Sequence, residues 1–191
     1  MTKHTVDDST ATLGFWFYLM TDLMLFSTLF ASFMVLRRST ASGPEAADIF
    51  DMRTVLIETS ALLASSLFCG LAWLAFRHGK RGDFFAYLVA TLAAGCVFLG
   101  SEITELTKLA GEGNSWQSSA FLSSYFTLVG AHGLHIIIGL LWGSIVGIAT
   151  LRRGLTPGLL KKFGLFSLFW HFLDIVWIFI FTIVYVIGGS R

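Results

Sequence analysis

Residues 164–188 read Gly164-Leu-Phe-Ser-Leu-Phe-Trp-His171-Phe-Leu-Asp174-Ile-Val-Trp177-Ile-Phe-Ile-Phe-Thr-Ile-Val-Tyr-Val-Ile-Gly188, with one carboxylate, one histidine and no lysine or arginine. A helix rises about 1.5 Å per residue, and about 20 apolar residues cross the ~30 Å hydrocarbon core of a bilayer. This run is therefore long and apolar enough to span a membrane. Four earlier runs meet the same requirement, at 14–36, 55–76, 84–106 and 121–151. The fourth exceeds the minimum and is expected to tilt or to extend into solvent.

Composition agrees with this reading. Of 191 residues, 55% are hydrophobic and 13% charged, the latter roughly half the share of a soluble domain. Mean hydropathy is +0.75. A soluble fold of this size has too little interior for so many Phe, Leu, Ile and Trp side chains. The net charge of +1 leaves no basic patch for nucleic acid. Cys69 and Cys96 lie inside apolar runs and read as small packing residues rather than a disulfide. The polar N-terminus lacks the basic region and cleavage site of a signal peptide, so the first apolar run is expected to be retained.

The expected fold is an all-α membrane protein, a single bundle of five transmembrane helices over residues 14–188. Residues 1–13 form a cytoplasmic tail and 189–191 a short end on the far side. The connections run from Arg37-Arg38 to Arg53, Arg77 to Asp83, Thr107 to Ala120 and Arg152 to Phe163. Connections after the second and fourth spans hold seven Lys and Arg residues (Arg77, Lys80, Arg81, Arg152, Arg153, Lys161, Lys162), against Arg37, Arg38, Arg53 and Lys108 on the other side. By the positive-inside rule the N-terminus is cytoplasmic and the C-terminus outside.

The ionisable residues inside the spans carry the functional information. Each costs at least ~2.5–3.5 kcal/mol at the centre of a lone helix, so such groups face the bundle and find partners. They are Asp22 in the first span, Glu58 in the second, Glu102 and Glu105 in the third, His132 and His135 in the fourth, and His171 and Asp174 in the fifth. The topology suggests two polar layers: Asp22, His171 and Asp174 in the inner half, and Glu58, Glu102 and Glu105 in the outer half. The fourth-span histidines fall between them. Three readings stay open: interhelical hydrogen bonds that set register, a proton or ion route shared with lipid anchoring, and a metal site. His-x-x-His puts two imidazoles on one face, but the spacing of zinc hydrolases and of haem attachment is absent.

Small residues mark helix contacts. Gly139, Gly143 and Gly147 recur every fourth position, and Ala61, Ser65 and Cys69 form a similar strip. Trp16, Tyr18, Trp73, Trp116 and Tyr185 lie near span ends and read as an interfacial belt.

From Gly14 to Gly188 the chain resembles subunit III of the haem–copper oxidases. The segments that carry the resemblance are Gly14-Phe-Trp-Phe-Tyr-Leu-Met-Thr-Asp22-Leu-Met-Leu-Phe-Ser27, Glu58-Thr-Ser-Ala-Leu-Leu-Ala-Ser65, Gly100-Ser-Glu-Ile-Thr-Glu105, Gly130-Ala-His-Gly-Leu-His-Ile-Ile-Ile-Gly139 and Ser167-Leu-Phe-Trp-His-Phe-Leu-Asp-Ile-Val-Trp177. Cytochrome c oxidases of this family usually have seven helices in this subunit, and the five here match the last five. The shortened form, with Asp22 where those oxidases carry Glu, Glu102 where they carry Gln, and Arg152-Arg-Gly-Leu-Thr-Pro157, is similar to the quinol-oxidising branch, the ubiquinol oxidases above all. The resemblance implies a non-catalytic subunit of a bacterial inner-membrane oxidase, with a periplasmic C-terminus and no metal or catalytic residue of its own. Haems, copper and ubiquinol would reside in partner subunits. Subunit I is the expected main contact, with subunits II and IV and bound phospholipid also expected, and Asp22 matches the family's buried acidic position. Other readings are a menaquinol oxidase, the five-helix accessory subunit of a nitric oxide reductase and an independent transporter. The last would need internal symmetry, which the sequence lacks.

Overall fold

The computed structural model describes residues 3–37, 39, 52–113 and 116–187. Arg38, most of the 37–53 connection and the segment 189–191 lie outside the described residues. Among the described residues, five helices are long and apolar enough to cross a membrane. They are α1 (Lys3–Leu36), α2 (Met52–Arg77), α3 (Arg81–Gly111), α4 (Ala120–Arg153) and α5 (Pro157–Ile180), the last continued by a π-helical stretch, Phe181–Ile187.

The helices outrun the apolar spans, and the connections are correspondingly shorter than the sequence suggested. Helix α1 begins at Lys3, although its apolar window starts only at Thr12. No Gly or Pro interrupts residues 3–13, so nothing in the backbone stops the helix there. The connection expected from Arg152 to Phe163 shrinks to Gly154–Thr156. The Thr156 side chain accepts a hydrogen bond from the Leu159 amide, and Pro157 occupies the first turn, where its missing N–H is harmless. Gly154 closes α4 at φ 74°, a conformation that favours glycine. The Arg81 guanidinium donates to the Leu151 carbonyl at 2.8 Å, which ties the start of α3 to the last turn of α4 and satisfies one orphan carbonyl.

Helices α2, α3, α4 and α5 pack in a ring, each against the next, with α5 returning to α2. Helix α1 stands outside the ring, against α4 and to a lesser extent α5. The core is aromatic: Phe163 contacts Trp73, Phe76, Phe84 and Phe166, while Trp170 and Trp177 are fully buried. Large apolar side chains also face outward on every helix, among them Met24, Leu67, Val89, Ile145 and Ile175. A bilayer or partner helices would cover such a surface.

The glycine strip of α4 is spent inside the chain. A Cβ on Gly139 would meet Trp170 Cζ3 at 2.8 Å, one on Gly143 would meet Phe166 Cζ at 2.9 Å, and one on Gly147 would meet Leu88 Cδ2 at 2.9 Å. These glycines let α3 and α5 approach α4 closely. The α2 strip faces α5. Ser65 accepts a hydrogen bond from Trp170 Nε1 at 2.8 Å, Cys69 Sγ lies 3.6 Å from Ser167 Oγ, and Ala61 is half-buried beside them. Cys69 is buried and Cys96 exposed, both as free thiols, so Cys96 points away from the core.

Candidate functional site: the buried polar groups

Helix rotation sorts the in-span polar residues into separate seams. At the seam of α1 and α4, Asp22 Oδ2 stands 3.7 Å from His135 Nε2. His135 Nδ1 donates to the Ala131 carbonyl at 2.7 Å, which fixes the ring and turns Nε2 toward the carboxyl. Tyr18, one turn before Asp22, adds a hydroxyl beside it, and Phe26 packs on the imidazole with centroids 5.2 Å apart. The groups expected in one inner layer divide between two seams. Asp22 is buried, but its partner is on α4, whereas His171 and Asp174 face α2.

His132 does not join its neighbour in a metal site. It is fully buried between Phe26, Phe98 and Trp177, stacked on the indole at 5.3 Å, and neither ring nitrogen is hydrogen-bonded among the described residues. On the other side of the ring, His171 Nδ1 and Ser66 Oγ are 2.7 Å apart, and Asp174 lies beside them. His132 and His135 thus share the Phe26 ring, while His171 lies at another seam. Among the described residues, no three His, Cys, Asp or Glu side chains converge to hold a metal ion.

The third seam, between α2 and α3, holds the acidic groups. Glu58, Glu102 and Glu105 lie within electrostatic reach of one another. Glu58 is 1% and Glu102 3% exposed, and their four carboxyl oxygens have no hydrogen-bond partner among the described residues. Gly133 on α4 makes room for Glu102, since a Cβ there would lie 3.3 Å from Oε1. Glu105 connects the group to a hydroxyl chain: Tyr125 donates to Oε1 at 3.5 Å, and the Tyr125 and Tyr185 hydroxyls are 3.0 Å apart. Glu105 also lines a cavity of about 430 Å³ with Ser101, Thr104, Lys108 and Glu112. Carboxyls linked through hydroxyls to a polar cavity are groups that can hold and pass protons.

Tyr185 is therefore not a belt residue: it is 1% exposed and bound to Tyr125. Trp73 likewise turns inward, stacking on Phe163, while Trp16 and Trp116 do face outward. Sequence reasoning missed Tyr125, Ser66 and Gly95. A Cβ on Gly95 would meet Trp170 at 2.9 Å, and a glycine amid a long apolar span was the available signal. At the opposite end of the bundle, Arg152, Arg153 and Lys162 rim a cavity of about 650 Å³ whose walls include Trp142, Ile145, Val146 and Leu159. Basic rim over apolar wall is the arrangement that takes an anionic head group and its acyl chain.

Comparison with known proteins places this geometry in a family. The family described as cytochrome c oxidase subunit III matches residues 2–189. A cytochrome bo(3) ubiquinol oxidase subunit 3 of Pseudomonas aeruginosa is 49% identical over 92% of this chain and 84% of its own length. A quinol oxidase subunit 3 of Bacillus subtilis is 44% identical over 92% of this chain and 86% of its own. A cytochrome c oxidase subunit 3 of Bacillus sp. PS3 is 41% identical over 96% of this chain and 89% of its own. That relative is of comparable length, so the shortened form is shared by both branches and does not by itself separate them. The match over nearly the whole chain, together with five membrane-length helices, makes this chain a member of the cytochrome c oxidase subunit III family.

Proposed function

We propose that the chain is the non-catalytic third subunit of a proton-pumping ubiquinol oxidase, in which partner subunits reduce oxygen to water. It is a multi-pass protein of the bacterial inner membrane. What supports the non-catalytic part is that His171 lies at another seam from His132 and His135, and that His132 is enclosed by Phe26, Phe98 and Trp177. The ubiquinol part rests on relatives at 49% and 46% identity, both cytochrome bo(3) ubiquinol oxidase subunits 3. A menaquinol oxidase is the second reading, since a relative named only as a quinol oxidase subunit is almost as similar.

In this reading the chain contributes packing, lipid retention and support for proton uptake. Subunit I is its main contact, with subunits II and IV nearby, and helices of subunit I complete the bundle. The basic cavity of Arg152, Arg153 and Lys162 holds phospholipid, in keeping with its apolar walls. Those residues belong to the cytoplasmic side, which leaves the N-terminus cytoplasmic and the C-terminus periplasmic. Residues 1–13 then begin in the cytoplasm, 14–188 form one membrane domain and 189–191 end in the periplasm. The complex purified through a tag on this chain tests the substrate. Ubiquinol should be oxidised with oxygen uptake. Preference for menaquinol, or for reduced cytochrome c, would replace ubiquinol with that donor.

A further inference from the structure

Helices α2 and α3 pack side by side in opposite directions, with a polar cavity at one end of their seam and two carboxyls beneath it. Thr54 on α2 faces Ser101, Thr104 and Glu105 on α3 across this cavity of about 430 Å³. Glu58 follows Thr54 at the fourth position and Glu102 precedes Glu105 at the third. Both carboxyls therefore lie on the cavity side of their helices, about one turn deeper. Both are buried, and their oxygens have no hydrogen-bond partner among the described residues. Ser101 stands beside Glu58, but its hydroxyl donates to the Val97 and Phe98 carbonyls.

The surroundings do not balance two negative charges. The cationic side chains nearest along α2 and α3 are Arg53 and Lys108, both toward the aqueous end, where Lys108 and Glu112 line the cavity. Helix α4 brings Tyr125 to this layer and the π-helical stretch brings Tyr185, hydroxyls that carry no charge to offset a carboxylate. His132 on α4 is closed off by Phe98 and Trp177. A buried carboxylate without a counter-charge is neutralised by taking up a proton. Among the described residues, the carboxyls do not converge as the ligands of a metal ion would. Water reaches the group from one side: Glu105 lines the cavity and accepts from Tyr125 at 3.5 Å, and Tyr125 is within electrostatic reach of Glu102 and Glu58.

We infer that Glu58 and Glu102 form a proton-storage site, which holds at least one proton between them and exchanges it with the aqueous phase at that end through Glu105. A hydronium ion in the cavity protonates Glu105 and leaves water. Glu105 passes the proton to Glu58 or Glu102 and regains its charge, and release runs the same steps backwards. The inference rests on the chain spanning a membrane and not on the electron donor of its complex. The test is infrared difference spectroscopy of the full complex, purified through a tag on this chain and transferred from H2O to D2O at neutral pH. A carbonyl stretch of protonated carboxyl should shift on transfer, and it should be reduced in both Glu58→Gln and Glu102→Gln. Glu105→Gln should keep the band and slow its shift by an order of magnitude. The same band in wild type and in both buried-site variants would mean that these carboxyls are ionised, and would overturn the inference. So would an equally fast shift in Glu105→Gln, or loss of the band when sodium ions are added at fixed pH, which would assign the site to a cation. If a Gln variant fails to assemble, Glu58→Asp and Glu102→Asp keep the carboxyl and should move the band without removing it; an unmoved band would count against the site. Oxygen uptake by the same preparation reports on the subunit reading separately.

Discussion

Asp22 and His135 are held at 3.7 Å by a fixed imidazole and a buried carboxyl, so removing one strands the other in an apolar seam. Asp22→Ala should leave the haem spectra of the complex intact while lowering the amount of this subunit and of phospholipid that survive detergent purification several-fold. Subunit stoichiometry and lipid phosphorus per haem would check it, and altered haem spectra in a fully assembled complex would speak against it. Trp170 offers a second residue-scale test. Its indole donates to Ser65 at 2.8 Å, and Trp170→Phe removes that bond while keeping most of the ring. A loss of about 1 kcal/mol is expected, read as a lower unfolding midpoint in detergent. The sequence showed that the eight in-span ionisable residues are costly against lipid and should face the bundle. It could not say which partners. The choice depends on helix rotation, and a turn of α1 toward α4 is what gives Asp22 to His135 rather than to His171.

Among the elements, α4 is the hub, and its glycines explain why. Gly139→Ala would drive a Cβ to 2.8 Å from Trp170 Cζ3, a ring that is itself 1% exposed and has no room to retreat. A loss of about 1–3 kcal/mol is expected from such overpacking. Gly130→Ala, on the same helix but with nothing within 4 Å, should be neutral or slightly stabilising, because alanine suits a helix better by up to about 1 kcal/mol. Thermal unfolding of the two variants side by side separates packing from propensity. Helix existence was legible from apolar length alone, and the strip 139, 143 and 147 from its spacing. The ends were less so: Thr156-Pro157 is a start signal readable in the sequence, yet the apolar run begins only at Gly164. Hydropathy finds the part of a helix inside the membrane, and the backbone continues past it until a cap or a glycine intervenes. The π-helical Phe181–Ile187 has no marker in composition, and Tyr185 within it turns inward to Tyr125.

At the scale of the whole molecule, a closed ring of four helices with α1 outside it leaves much apolar surface uncovered, including Leu13, Phe17, Met20 and Met24 on α1. The five-helix count identified the class but not the electron donor, since relatives of similar length serve in oxidases named for cytochrome c and for quinol. Topology is checked separately: an alkaline phosphatase fusion at the C-terminus should be active and one after Arg153 inactive, and the reverse pattern would invert the orientation. The central claim is that this chain belongs to a haem-bearing quinol oxidase without carrying the chemistry. It is tested most directly by the haem spectrum of the purified complex before and after this subunit is stripped away. The haem should stay wholly with the remaining subunits, and the released chain should be colourless. Haem leaving with this chain would contradict it.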